Sequence, residues 1–318
     1  SDILGKTPIE LNLFNKNTGK FQHFLPGEKI FSIKEGPRGN LWIGTLNGLY
    51  SFDYDRNKFK YYEHIPGDRT SLSHSFVNVL YLASNNILWV GTKEAGLMRY
   101  NPVNDNFIRY KNIPNDTTSL LGNYIISINE DNNGTLLIGT NNGLNKYNPL
   151  SDNFSEVKIE ELPDRNINGV LADSKNNYWI STNKGISKYN ANSEVVNYDL
   201  KDGLQSNEFN RNSYFKASDG RFYFGGINGF NVFYPDSVQK NTDIPPILIT
   251  DFKISNQSAK PGTENSPFSK AINETEKIEL DYDESDFSFE FVALNYISTE
   301  KNKYAYRLVG YNDKWIYS

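Results

Sequence analysis

The chain has 318 residues and a formal net charge of −5, with 22% charged, 37% hydrophobic and 14% aromatic positions. This length suits one large β domain or two domains with a buried core, and the negative balance offers no electrostatic footprint for nucleic acid or anionic lipid. There is no cysteine, which excludes disulfides, thiolate metal sites and cysteine nucleophiles. No run of about 18 apolar residues is present to span a membrane, and no signal peptide is recognised at the start. The expectation is either a cytosolic protein or an excised piece of something larger.

From the first residues onward one phrase recurs: D-I-L-G-K, L-W-I-G-T, L-W-V-G-T, L-L-I-G-T, Y-W-I-S-T and F-Y-F-G-G. Its anchors are Gly5, Gly44, Gly91, Gly139, Ser181 and Gly225, spaced 39 to 48 residues apart. Trp42, Trp89 and Trp179 stand two places before an anchor, and Leu137 and Tyr223 take that place in the other full repeats. The third full repeat shows the grammar. Residues 125–129 alternate, a D-N-N-G turn follows at 131–134, then a strand at 136–140, an N-N-G turn, a strand at 144–147, an Asn148-Pro149 turn and Phe154. Four short strands in about 40–45 residues, without a 3.6 period, is the pattern of a β-propeller blade.

In such a blade the first strand lines the central channel and the fourth is outermost. Loops leading into strand one and loops joining strands two and three share one face, here called the top. The blades are assigned to residues 1–242. Residues 243–246, Asp-Ile-Pro-Pro, form a stiff exit linker. Beyond it, residues 247–249 with Phe252, 278–280, 287–292 and 304–308 are expected as strands of a second β unit at 247–318, with 256–275 as a polar loop. Phe287, Phe289 and Phe291 alternate with Ser288 and Glu290, as one buried face of a sandwich sheet would. The stretch falls short of the roughly 100 residues of a seven-strand sandwich, so this unit is expected to be C-terminally incomplete.

The N-x-L-W-I-G-T-x-x-G-L-x-x-Y repeat resembles the two-component regulator propeller repeat. Tyr304, Tyr306, Leu308, Gly310, Asp313 and Trp315 resemble the signature of the Y_Y_Y β-sandwich that follows such propellers. G-L-Q-S-N-E-F-N at 203–210, Phe224-Gly225-Gly226 and Pro245-Pro246 resemble the usual last blade and exit. The resemblance covers essentially the whole chain. It implies an all-β protein: a partial β-propeller, about six blades of a seven-bladed one, followed by a truncated Ig-like or fibronectin-like β-sandwich. A six-bladed propeller closed by shared strands is the alternative. The family is similar to the extracytoplasmic sensor half of hybrid two-component systems. Those have two propellers, the sandwich, a transmembrane helix, a histidine kinase, a receiver and an AraC-type output, and typically respond to oligosaccharides to turn on glycan-utilisation genes.

Chemistry is sparse. Asn129, Asp131, Asn133 and Gly134 begin like an EF-hand loop, but the twelfth position is Thr140 where a bidentate Glu is needed, so a hairpin turn is the plainer reading. His23, His64 and His74 form no metal-binding pair, and His23 is read as solvated on an outer strand. Asp281, Asp283, Glu284 and Asp286 form a charged loop. No nucleophile elbow, Walker loop or dinucleotide fingerprint is present, so no catalytic residue, metal or cofactor is assigned. Aromatics at repeat-equivalent places pack between blades. The candidate ligand-binding residues are top-face residues that differ between blades: Arg69, His74, Asn123, Tyr124, Arg165, Asn168, Asn207, Glu208, Asn210 and Arg211. Asn, Arg and Glu can bind hydroxyls or carboxylates, and Tyr can stack on a sugar.

The resemblance thus implies the periplasmic region of an inner-membrane sensor that does no chemistry. Its partners would be an oligosaccharide, a second propeller and a second copy through the sandwich, with membrane contact only through segments outside this chain and none with nucleic acid. The alternative is a propeller enzyme of the streptogramin-lyase type with His74 as a base at the channel mouth.

Overall fold

The computed structural model describes residues 10–37, 39–238, 244–263, 266–282, 286–295, 299, 302–310 and 314–317. Gly5, Asp243, Asp283, Glu284 and Asp313 lie outside the described residues. The chain divides into two compact units, Ser1–Gln239 and Lys240–Ser318.

The first unit begins with a hairpin of β1 (Leu11–Asn15) and β2 (Lys20–Phe24). The first blade is β3 (Ile30–Glu35), β4 (Leu41–Thr45), β5 (Leu49–Asp53) and β6 (Lys58–Tyr62). The second is β7 (Val77–Leu82), β8 (Leu88–Thr92), β9 (Leu97–Asn101) and β10 (Asn106–Tyr110). The third is β11 (Ile125–Glu130), β12 (Leu136–Thr140), β13 (Gly143–Asn148) and β14 (Asn153–Glu156). The fourth is β15 (Gly169–Ala172), β16 (Tyr178–Thr182), β17 (Gly185–Tyr189) and β18 (Val195–Tyr198). The fifth is the three-stranded sheet of β19 (Phe209–Lys216), β20 (Phe222–Gly226) and β21 (Gly229–Phe233). Each sheet is an antiparallel meander, and the unit is a β-propeller.

Each letter of the recurring phrase has a physical job. The threonine closes the turn between strands two and three. The buried hydroxyls of Thr45, Thr92, Thr140 and Thr182 donate to the carbonyl oxygens of Gly48, Gly96, Gly143 and Gly185 at 2.8–3.2 Å. Each also accepts a backbone N–H from the same turn. The glycine makes room for the next blade. A Cβ on Gly91 would lie 2.7 Å from Ile125 Cγ2, and one on Gly139 2.7 Å from Ile167 Cγ2, so only a missing side chain lets the following inner strand approach. Trp42, Trp89 and Trp179 are at most 4% exposed and pack between blades.

Among the described residues of this unit the buried apolar side chains do not form one core. Four apolar clusters lie between consecutive blades, from Trp42 with Leu80 and Phe107 to Trp179 with Phe209 and Phe224. Asp131 belongs to this scaffold. Its Oδ1 accepts from Asn133 N and Thr135 N, and its Oδ2 from the hydroxyl of Tyr178 in the next blade. The loop is therefore a hairpin turn whose carboxylate is committed to amides and a phenol. His23 is exposed on β2, as expected, with Nδ1 2.7 Å from Glu10 Oε1.

The second unit is a three-stranded sheet in the order β23 (Gln257–Ser258), β22 (Ile247–Ile254), β24 (Phe287–Ala293), plus a short hairpin of β25 (Ala305–Tyr306) and β26 (Ile316–Tyr317). Two expectations are corrected here. Residues 278–280 form no strand, and of 304–308 only Ala305 and Tyr306 are in one. Phe287, Phe289 and Phe291 are 38%, 44% and 36% exposed rather than buried. They do share one face, because Phe252 opposite them touches Phe287 and Phe289. Among the described residues, however, β24 pairs only with β22, and the buried side chains of this sheet are Phe252, covered by Phe268, and Ala293.

Candidate ligand-binding site

Antiparallel pairing of strands one and two builds the top face. The residue after each G-T pair, and after Gly225-Gly226 in the fifth blade, donates its N–H to the carbonyl of the residue before the inner strand: Leu46 to Lys29, Lys93 to Phe76, Asn141 to Tyr124 and Ile227 to Glu208, at 3.0–3.4 Å. The two loop families of the top face are thereby tied together in each of these blades.

The candidate residues separate into three groups. Asn123, Asn168 and Asn207 are committed to the scaffold. Asn123 and Asn207 play one repeated role: their carbonyl oxygens accept from Gly96 N and Gly185 N, and their Oδ1 atoms accept from Asn112 N and Leu200 N. Asn168 is fully buried, and its Nδ2 donates to Phe209 O as Asn78 Nδ2 does to Ile125 O two blades earlier. Polar side chains with equal partners in different blades are ties between blades, not a ligand face.

Arg69, His74 and Arg165 lie apart from the axis or are already engaged. The loop of Arg69 is anchored at the outermost strand, where Phe107 N donates to Thr70 O and Arg109 donates to the carbonyls of Asp68, Ser71 and Leu72. Arg165 pairs with Glu156 at 2.9 Å and donates to Asn142 O. His74 Nδ1 accepts from Phe76 N at 3.0 Å, and its Nε2 lies 3.9 Å from Glu94 Oε2.

Tyr124 and Arg211 meet. The Arg211 guanidinium donates to Tyr124 Oη at 3.1 Å and lies 5.1 Å from the ring centroid. These residues belong to the third and fifth blades, so the contact spans the fourth. Beside them Glu208 and Asn210 are exposed. The pair offers a planar cation on an aromatic face, and the chain next to Arg211 adds an exposed carboxylate and an exposed amide.

One functional element escaped the sequence reading. Tyr214 also crosses the axis from β19 to β11: its hydroxyl donates to Ile128 O at 2.9 Å and accepts from Ile128 N at 3.1 Å. Its ring lies against Gly169, where a Cβ would come within 2.5 Å of Tyr214 Cδ1. The equivalent position in the other blades is aliphatic: Ile33, Leu80, Ile128 and Val170 pair with the same point of strand two. A lone tyrosine among four aliphatic residues was the available signal. Among the described residues no three His, Asp or Glu side chains cluster as a metal site would need, and no helix is long and apolar enough to cross a membrane.

Fold and mouth together define a β-propeller repeat module that gathers side chains of different blades at its axis. The two component regulator propeller family matches at residues 25–47 and 119–142, so the chain carries two component regulator propeller repeats. It is 31% identical to histidine kinase P4 of Formosa agariphila across 86% of this chain, while spanning 24% of that protein. It superposes with a TM-score of 0.78 and 25% identity on the extracellular domain of a protein from B. thetaiotaomicron described as a hybrid two component system, covering 96% of this chain and 41% of that one. Virginiamycin B lyase of Staphylococcus aureus is similar in fold alone, at 18% identity and a TM-score of 0.54, over 71% of this chain and 72% of the lyase.

Proposed function

We propose that this chain is the extracytoplasmic ligand-sensing region of a transmembrane hybrid two-component sensor, located in the periplasm of its cell, and that it performs no chemistry itself. The observation that carries this reading is the match of nearly the whole chain, propeller and second unit together, to the extracellular domain of the B. thetaiotaomicron protein. The similarity to a histidine kinase supports it independently.

The ligand in this reading is an oligosaccharide held at the top mouth by Arg211, Tyr124, Asn210 and Glu208. Arginine supplies a planar fork for an acidic substituent or paired hydroxyls, and tyrosine supplies a face for a pyranose ring. The second unit is a Y_Y_Y-type sandwich that dimerises. Its half-exposed Phe287, Phe289 and Phe291 supply apolar area for that contact. Signalling requires that the ligand bind one dimer arrangement better than another, because a ligand of equal affinity for both shifts nothing. A thermal-shift screen of glycan fragments tests the reading, since a ligand of the native state raises the unfolding midpoint. A stabilising oligosaccharide supports it. A complete panel of neutral and acidic fragments without effect on the intact sensor would remove it.

A further inference from the structure

The five inner strands carry a ring of side chains at one register position. Lys34, Tyr81, Asn129, Leu171 and Phe215 pair across their ladders with Trp42, Trp89, Leu137, Trp179 and Tyr223. They are therefore the same place in five successive blades, and all five line one cavity of about 420 Å³. That volume is in the lower part of the roughly 300–1,000 Å³ range of small-molecule sites. The strand-two partners are mostly aromatic because they pack between blades. The ring members are a cation, a phenol, an amide, an aliphatic and an aromatic residue. Leu171 is buried between blades and Asn129 ties the third blade to the fourth, so the scaffold accounts for these two, and the cation, phenol and exposed phenyl are the members it does not require.

The cavity is separate from the top mouth. Along β11 and the residue before it the order is Tyr124, Ile128, Asn129, and along β19 it is Arg211, Tyr214, Phe215. The Tyr214–Ile128 bridge thus falls between the Arg211–Tyr124 pair and the ring.

Its chemistry is one-sided. Lys34 Nζ sits 5.5 Å from the Tyr81 ring centroid, and Tyr81 Oη donates to Asn129 Oδ1 at 3.4 Å. Lys216, on the next residue of β19, also lines the cavity and donates to Ala172 O at 2.9 Å, which leaves two ammonium hydrogens for a ligand. No carboxylate is among the lining side chains, and among the described residues neither lysine is in an ion pair. Beside these cations Ile33 and Phe215 are left 47% and 62% exposed. In a chain of net charge −5, two ammonium groups outside any ion pair among the described residues, beside exposed apolar surface and with the Glu130 carboxylate held at Tyr81 on the border, form a local site for an amphipathic anion.

We infer that this cavity is a second ligand site that takes a small carboxylate carried on a six-membered ring. The carboxylate engages Lys34 and Lys216 and the ring lies on Phe215, while Asn129 is held to the fourth blade by its Nδ2 donating to Val170 O. A sugar acid and an aromatic acid share this chemistry, so D-glucuronate and benzoate are the probes, with D-glucose as the neutral control. Calorimetric titration of the 318-residue chain should show binding of at least one carboxylate and none of glucose. The K34Q/K216Q variant should lose about tenfold or more in affinity, the scale of one or two charge-assisted hydrogen bonds. Without ligand it should remain folded with only a small drop in unfolding temperature, because Lys34 is half-exposed and Lys216 gives up one hydrogen bond, to Ala172 O. In Arg211→Ala the component of binding that K34Q/K216Q removes should remain, which separates the site from the one at the mouth. Preference for glucuronate marks a carbohydrate acid and preference for benzoate an aromatic one. No binding of either carboxylate, equal binding of glucose, or undiminished affinity in a folded K34Q/K216Q variant would overturn the proposal.

Discussion

Trp89 of the second blade meets Tyr147 of the third edge-on, with ring centroids 4.8 Å apart and planes at 68°. Trp42 and Tyr100 repeat the contact at 4.9 Å, and Trp179 and Phe233 repeat it at 4.9 Å. Each tryptophan also touches an aromatic on the last strand of its own blade, at 5.6–5.8 Å. One indole therefore joins its own fourth strand to the third strand of its neighbour. Trp89→Ala should cost about 3–5 kcal/mol, the scale for emptying a large buried site. Urea unfolding measures this. A variant as stable as the parent would show that the blade junction does not depend on the indole.

The same residues show what the sequence makes legible. Tryptophan, glycine and threonine recur at fixed offsets because each serves one backbone geometry, and repetition exposes that geometry without a structure. Asn123 and Asn207, or Asn78 and Asn168, are equally repetitive in role. Loops of unequal length put Asn123 and Asn207 at different offsets from Gly139 and Gly225, so they read as blade-specific ligand residues, whereas Asn78 and Asn168 share one offset from Gly91 and Ser181. Lys34, Tyr81 and Phe215 were missed for the opposite reason: they lie inside inner strands, and only the ladder partner Trp or Tyr fixes their common place. In the second unit the alternation of Phe287, Phe289 and Phe291 marked a shared face correctly. Alternation says which side chains share a face but not what covers it.

Asp105 makes stability depend on acid. Tyr62 and Tyr100 donate to its Oδ1 at 2.8 and 2.7 Å, and Lys60 pairs with Oδ2. Burial pushes this carboxyl up, but the hydrogen bonds from Lys60, Tyr100 and Tyr62 outweigh it and hold it below the usual carboxylate range. A folded-state value below the unfolded one means that the unfolded chain takes up the proton first. The contribution is therefore complete above the unfolded value of about 3.9 and is lost as pH falls through the lower folded value. Asp105→Asn should flatten the fall of the unfolding midpoint below about pH 4. The slope will not vanish, because Asp131 and Asp173 are also held low. An unchanged acid profile would exclude Asp105 as a contributor.

Gly91 should not accept a side chain. A Cβ there would meet Val79 Cγ1 at 2.5 Å and Ile125 Cγ2 at 2.7 Å, on two inner strands at once. Both residues are buried and neither can swing into solvent. Gly91→Ala should destabilise by about 1–3 kcal/mol through overpacking. Gly134→Ala would have free space but a φ of 75°, so its cost would come from backbone strain instead. Equilibrium unfolding of the first variant decides the point, and a neutral Gly91→Ala would disprove the close-approach account of the anchor.

Tyr214→Phe keeps the ring on Gly169 and removes both bonds to Ile128. The expected loss is about 0.5–1.5 kcal/mol per hydrogen bond. Faster amide exchange at Ile128 should accompany it, because that N–H loses its acceptor. Exchange at Ile128 indistinguishable from the parent would show that the phenol does not cover it.

Arg211 bears the most specific expectation for the mouth. Its guanidinium is exposed, donates to Tyr124 Oη and lies over that ring, and among the described residues it forms no ion pair with a carboxylate. It therefore holds unused donors in an orientation fixed by stacking, which reduces the entropy lost when a ligand is bound. Arg211→Ala in the intact sensor should weaken oligosaccharide binding by roughly 1.5–3 kcal/mol, the scale of a hydrogen bond to a charged group. Stability should change little, because an exposed arginine supports no core. Tyr124→Ala should lower affinity as well, since it removes both the stacking face and the group that orients the guanidinium. Calorimetry with the stabilising glycan found in the screen measures both variants. Unchanged affinity in a folded Arg211→Ala protein would take the residue out of the site. A large drop in unfolding temperature would instead make the Arg211–Tyr124 contact a brace between the third and fifth blades, parallel to the one that Tyr214 provides below it.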